Sequence, residues 1–75
     1  MLNKAEKVYI KHFFLARDGL ARKADVPATR ILPKQLIVQM AKRGTWKGIL
    51  EDPALRYEAV FEKARLDAEA ELKGN

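Results

Sequence analysis

The side chains able to do chemistry are few and poorly grouped for it. His12 is the only histidine among 75 residues and there is no cysteine, which removes thiolate metal sites, disulfides and a cysteine nucleophile together. His12 falls among Tyr9, Phe13 and Ala16 on an apolar stripe, with no clustered carboxylates to complete a metal site. It reads as a packed histidine, neither ligand nor general base. Gly44-x-x-x-Gly48 has neither the preceding strand nor the following motif of a phosphate-cradling loop. The many carboxylates near the C-terminus alternate with lysine and arginine and read as a solvated helix face. The expectation is a protein without catalytic groups and without a cofactor or metal.

What remains is charge. Residues 1 to 48 hold eleven Lys and Arg against three acidic residues, a net of +8, whereas residues 49 to 75 hold four against seven, a net of −3. A basic front joined to an acidic last helix is the electrostatic footprint of a phosphate-binding surface. Within that front Arg22, Lys23, Arg30, Lys34, Lys42, Arg43 and Lys47 fall at the helix ends and connections around the middle of the chain, and free backbone N–H groups near Lys34 could add anion contacts. Trp46 lies between Arg43 and Lys47, where an exposed indole could stack on a base of a single strand. Core packing is the favoured role for it, since a lone tryptophan in so small a domain is normally needed inside. Arg17, flanked by Leu15 and Ala16 and near Asp18 and Asp25, is expected to hold the connecting segment by hydrogen bonds.

These side chains need a scaffold, and the signals for one are densest between Arg30 and Gly44. Pro33 suits a first helical position and Gly44 the residue just past the end. Leu36, Ile37, Met40 and Ala41 recur at helical spacing, so residues 33 to 43 should form a short helix with one inward face. A helix of about ten residues does not persist alone in water and must be covered by its neighbours. Asn3 and Glu6 have capping-box spacing, with Leu2 placed as the hydrophobic staple. A helix should therefore run from near Lys4 to about Ala24, with Val8, Tyr9, His12, Phe13, Leu15, Ala16 and Leu20 on its apolar side. Gly19 within it would mark a close helix crossing. Val26 precedes Pro27, so that helix ends by Asp25, and residues 25 to 32 connect, partly buried through Val26 and Ile31.

Beyond Gly44, Thr45 is placed to cap a short helical turn carrying Trp46, Ile49 and Leu50. Asp52-Pro53 reads as an N-cap followed by a proline at the first helical position. A last helix is predicted over 53 to 73, with Tyr57, Phe61, Ala64, Ala68 and Leu72 inward and Glu58, Glu62, Arg65 and Glu69 outward. No stretch alternates with a period of two, so no strand is predicted. One all-α domain, a bundle of four to five helices, accounts for the whole chain. At 75 residues such a domain buries only about 60 % of its unfolded surface. No apolar run approaches the ~20 residues of a membrane span and no secretory signal is evident, so a cytoplasmic monomer is expected, nucleoid-associated if it binds DNA.

The order of residues Leu15-Ala16-Arg17-Asp18, Ala21-Arg22, Asp25-Val26-Pro27, Ile31-Leu32-Pro33, Leu36 and Met40-Ala41 resembles the front half of the HRDC domain, the small helical module at the C-terminal side of RecQ-type helicases and of ribonuclease D. Arg56-Tyr57 resembles the Lys-Tyr start of that family's last helix. The resemblance covers roughly residues 13 to 61. Ala16 stands where family members often carry a large aromatic, and Arg43-Gly44 where they often carry a proline; Trp46 is placed to fill the same core from the next turn. The resemblance implies a five-helix bundle without catalytic groups, an accessory surface for nucleic acid or for protein partners. A nucleic-acid-binding module is thus the first expectation, with Arg22, Lys23, Arg30, Lys34, Lys42, Arg43, Trp46 and Lys47 as its contacts. The alternative is a module that docks on a protein partner or parent enzyme through the acidic last helix. A helix-turn-helix regulator built on 33 to 43 or 45 to 51 ranks third.

Overall fold

A long first helix organises the computed structural model, which describes residues 2 to 74. Helix α1, Lys4–Ala24, begins with the expected box: Asn3 accepts from the Glu6 amide at 2.8 Å, and Glu6 accepts from the Asn3 amide at 3.0 Å. It ends at Asp25, whose left-handed φ of 56° breaks the helical path. Its 21 residues at about 1.5 Å each account for nearly all of the molecule's 34 Å long axis. The segment predicted as a plain connection contains a one-turn helix, α2, Ala28–Ile31, which buries Ile31 and Leu32. Its apolar residues are too few to show a period, which is why spacing alone does not reveal it.

Helix α3, Lys34–Arg43, follows. Pro33 is its N-cap and not its first helical residue: ψ of 148° keeps it extended, and its carbonyl accepts from the amides of Leu36 and Ile37. Gly44 closes the helix at φ 71° as its position implied. Ile37, Met40 and Ala41 are buried, while Leu36 is only half-buried, being turned toward a surface groove. The next stretch is a turn rather than a helix. Thr45 Oγ1 accepts from the Lys47 amide, and the Trp46 carbonyl accepts from Ile49 and Leu50, which carries Ile49 and Leu50 into the core.

The expected start at Asp52-Pro53 also differs. Asp52 makes no capping bond; instead a 3₁₀ turn, Ala54–Tyr57, leads into α4, Glu58–Gly74. The Pro53 carbonyl accepts from the Arg56 amide and the Leu55 carbonyl from Glu58, three residues on in each case, so this first turn is tighter than an α-helix. The architecture is thus four α-helices and one 3₁₀ turn, with no strand among the described residues. It is a small all-α bundle.

The core forms where α1, α3 and α4 meet. Phe13, Ile37, Met40 and Phe61 are its largest fully buried side chains, with the Phe13 and Phe61 rings 6.2 Å apart and tilted as aromatic pairs prefer. Of the predicted α4 stripe, Phe61, Ala64 and Ala68 are buried and Tyr57 and Leu72 half-buried. Leu15, expected on the inner side of α1, is 62 % exposed. Gly19 marks no close crossing, for a Cβ there would meet nothing within 4 Å. No helix of the described residues is long and apolar enough to cross a membrane.

Candidate nucleic-acid interface

The eight expected contacts do not converge on one patch. Arg17 donates to the Leu32 carbonyl at 3.1 Å, which sets the start of α3 beside the second half of α1. At its other end Gly44 lies against the Tyr9 ring, near the first half. Helix α3 therefore runs antiparallel to α1, and about 15 Å of its length separates two basic groups. Arg22, Lys23, Arg30 and Lys34 belong to one end, and Lys42, Arg43, Trp46 and Lys47 to the other. Their surroundings differ. Arg22 shares a concavity with Asp18 and Asp25, and Arg30 a groove with Glu51 and Asp52.

Lys42 and Arg43 form the last turn of α3 and are exposed. The chain then folds back, so that the Arg43 guanidinium lies 3.6 Å from where a Cβ on Gly48 would stand and the exposed Lys47 is carried to the same corner. None of Lys42, Arg43 and Lys47 makes an ion pair with a described residue. The negative end of the α3 dipole offsets only about half a charge of the three. Carboxylates stand at this corner as well: Glu6 and Glu69 share a concavity with Lys42 and Arg43, and Lys47 helps to lower the Glu62 carboxyl, although Glu62 and Glu69 are both engaged by Arg65.

Trp46 anchors this corner. The half-buried indole packs against the core and donates through Nε1 to Glu62 Oε1 at 2.8 Å. Arg65 donates to the same carboxylate through Nε at 2.9 Å, and through its terminal nitrogens to Glu62 and Glu69; Tyr9 donates to Glu69 at 3.2 Å. The chain from Trp46 through Glu62, Arg65 and Glu69 to Tyr9 ties the corner to α4 and α1. The Arg65 guanidinium, then the indole N–H, hold the Glu62 carboxyl at about 2. Burial, reinforced by the Glu69 carboxylate, pushes the Tyr9 phenol up. The predicted wet face of α4 is in this part a structural network. The spacings of Glu62, Arg65 and Glu69 suffice to foresee their pairing, but nothing local indicates that Trp46 and Tyr9 complete it.

Other polar side chains of α4 are engaged as well. Glu71 receives Lys11 Nζ at 2.7 Å and lies 2.9 Å from His12 Nε2, and Lys11 first, then His12, lowers its pKa. Lys63 pairs with Asp67 one turn on. Arg17 is nearly enclosed, over the Phe14 ring at 4.7 Å from its centroid, as its expected positioning role requires. No described group of three or more His, Cys, Asp or Glu is placed to hold a metal ion. Comparison with protein-family models, with curated proteins and with solved structures finds no match to this chain.

Proposed function

We propose that this chain is a non-catalytic accessory module of HRDC type that binds nucleic acid weakly and with little regard to sequence, through the corner of Lys42, Arg43 and Lys47. The observation that carries the proposal is the uneven pairing of charge. Glu62, Glu69 and Glu71 are engaged by Arg65, Lys11 and His12, while the corner's three exposed cations close no ion pair with a described residue, although Glu6 and Glu69 lie beside Lys42 and Arg43 and Lys47 acts on Glu62. Such cations exchange their counterions for phosphates, and that release drives sequence-independent binding. At the other end Asp25 beside Arg22, and Glu51 and Asp52 near Arg30, make no ion pair with a described residue and weaken the field there, whereas Glu69 beside Lys42 and Arg43 is already engaged by Arg65. In this proposal Trp46, its N–H committed to Glu62, supports the corner instead of stacking on a base.

Docking through an acidic α4 finds less support, because three of that helix's carboxylates already serve the fold. A helix-turn-helix reader finds less still, since residues 45 to 50 form a turn and offer no second helix for a groove. The test is a fluorescence-anisotropy titration of labelled single-stranded and duplex oligonucleotides at two salt concentrations. Dissociation constants on the order of 10⁻⁴ to 10⁻⁶ M, rising steeply with salt, are expected. Absence of binding at low salt would overturn the proposal.

A further inference from the structure

A second surface lies at the opposite end of α3 and has a different character. The corner between α2 and α3 and the turn of residues 48 to 54 face each other across an open groove of about 520 Å³. Its floor is apolar: Ile31, Leu32 and Ile49 reach it from the core, and Leu36, half-buried, leans into it. Its two walls carry opposite charge. Arg30 stands on the α2 side, Glu51 and Asp52 on the other. All three are exposed, and none makes an ion pair with a described residue. Opposite charges that line one groove without closing on each other leave both walls free for a guest.

From this arrangement we infer that the groove binds a short extended peptide segment of a partner protein, in which one apolar side chain is flanked by a basic residue on one side and an acidic residue on the other. In an extended chain that crosses the groove with an apolar side chain turned to the floor, the two neighbouring residues lie above the opposite rims, and long basic and acidic side chains there bend down to the walls. The basic neighbour meets Glu51 and Asp52, and the acidic neighbour meets Arg30. Buried apolar area supplies the attraction, while the paired walls select a guest that carries one charge of each sign. A nucleic acid does not fit these walls, because Glu51 and Asp52 repel phosphate. The inference is independent of the Lys42, Arg43 and Lys47 corner.

The test uses the full ¹⁵N-labelled chain and the blocked tripeptide Ac-Lys-Leu-Glu-NH₂. Saturable amide shifts are expected over residues 29 to 32, at Leu36 and Gln39, and over 48 to 54. Replacing the peptide's leucine by alanine should weaken binding, and the like-charged Ac-Lys-Leu-Lys-NH₂ and Ac-Glu-Leu-Glu-NH₂ should each bind about two- to fivefold more weakly, the scale of one exposed ion pair. In Arg30→Glu, an exposed change that leaves the fold intact, Ac-Lys-Leu-Lys-NH₂ should become the better ligand. The absence of saturable shifts, shifts of equal size from all charge patterns, or an order of preference unchanged in Arg30→Glu would each overturn the inference. So would an oligonucleotide that shifts these residues and leaves 42 to 47 untouched.

Discussion

The Trp46 indole and the Glu62 carboxylate meet at 2.8 Å, and through that bond the turn after α3 is fixed to the middle of α4. Glu62 is held at about 2 by Arg65 and then by Trp46, well below the 4.5 it takes when free. A carboxylate whose pKa is depressed on folding stabilises the native state above its unfolded pKa, and that contribution is lost as pH falls through the folded value. Stability should therefore decline from about pH 4.5 toward pH 2, with Glu71, lowered by Lys11 and His12, adding to the slope. Urea midpoints measured across this range should fall less steeply in Glu62→Gln than in the wild type, and the loss should be accompanied by a red shift of Trp46 emission. An unchanged slope would show that Glu62 is not titrating as described.

At the alkaline end the sign reverses. The Tyr9 phenol is raised above its ordinary 10.0 by burial and by Glu69, so the protonated form is the one that folding favours. Its contribution is complete below pH 10 and disappears as pH rises through the folded value. Tyr9→Phe should flatten the alkaline limb of the stability profile.

Two phenylalanines, Phe13 and Phe61, are among the four largest fully buried side chains. Phe61 is fully buried against Phe13, and Phe61→Ala should cost about 3 to 5 kcal/mol, a large part of what a chain of this size holds. Leu36→Ala, at a half-buried position beside the groove, should cost only about 1 to 2 kcal/mol. Equilibrium urea unfolding of the two variants checks the order.

Two glycines should respond to alanine with opposite signs. Gly44 has φ 71°, and a Cβ there would stand 3.3 Å from the Tyr9 ring, so Gly44→Ala should destabilise by about 1 kcal/mol or more. Gly19 is exposed within α1 with nothing in reach of a Cβ, so Gly19→Ala should stabilise by about 0.5 to 1 kcal/mol. Thermal melts of both variants read the signs directly.

The features legible in the sequence are those set by chemistry within a few residues. Asn3 with Glu6 marks the start of α1, Gly44 the end of α3, and the spacing of Phe61, Ala64 and Ala68 the buried side of α4. Asp52-Pro53 carries an equally local signal and misleads, since a 3₁₀ turn intervenes before α4 begins. The outward reading of Glu62, Arg65 and Glu69 fails for a different reason. Helical period separates the face that packs from the face that does not, but it cannot register that Trp46 and Tyr9, 16 and 60 residues distant from their partners, bring hydrogen-bond donors to the polar side. The basic residues show the same limit. Their number is plain from composition, whereas their division between the two ends of α3 follows from how Arg17 and Tyr9 seat that helix on α1.

That division makes the nucleic-acid proposal testable at the level of single residues. Three phosphate contacts from Lys42, Arg43 and Lys47 imply that log K falls with log salt with a slope of about −2 on a single strand. Reversing charge at Lys42 and Arg43 together should remove most of that slope and weaken all oligonucleotides about equally. Reversal at Arg22 and Lys23, a helix length away and beside Asp18 and Asp25, should have a smaller effect. Glu62 and Glu69 cannot serve as controls because their loss would disturb the fold, but Glu58, exposed and without an ion pair to a described residue, can. Glu58→Lys should leave binding intact or strengthen it slightly. Undiminished binding in the Lys42 and Arg43 double variant, with a slope that instead collapses on changing Arg22 and Lys23, would move the phosphate surface to the other end of α3.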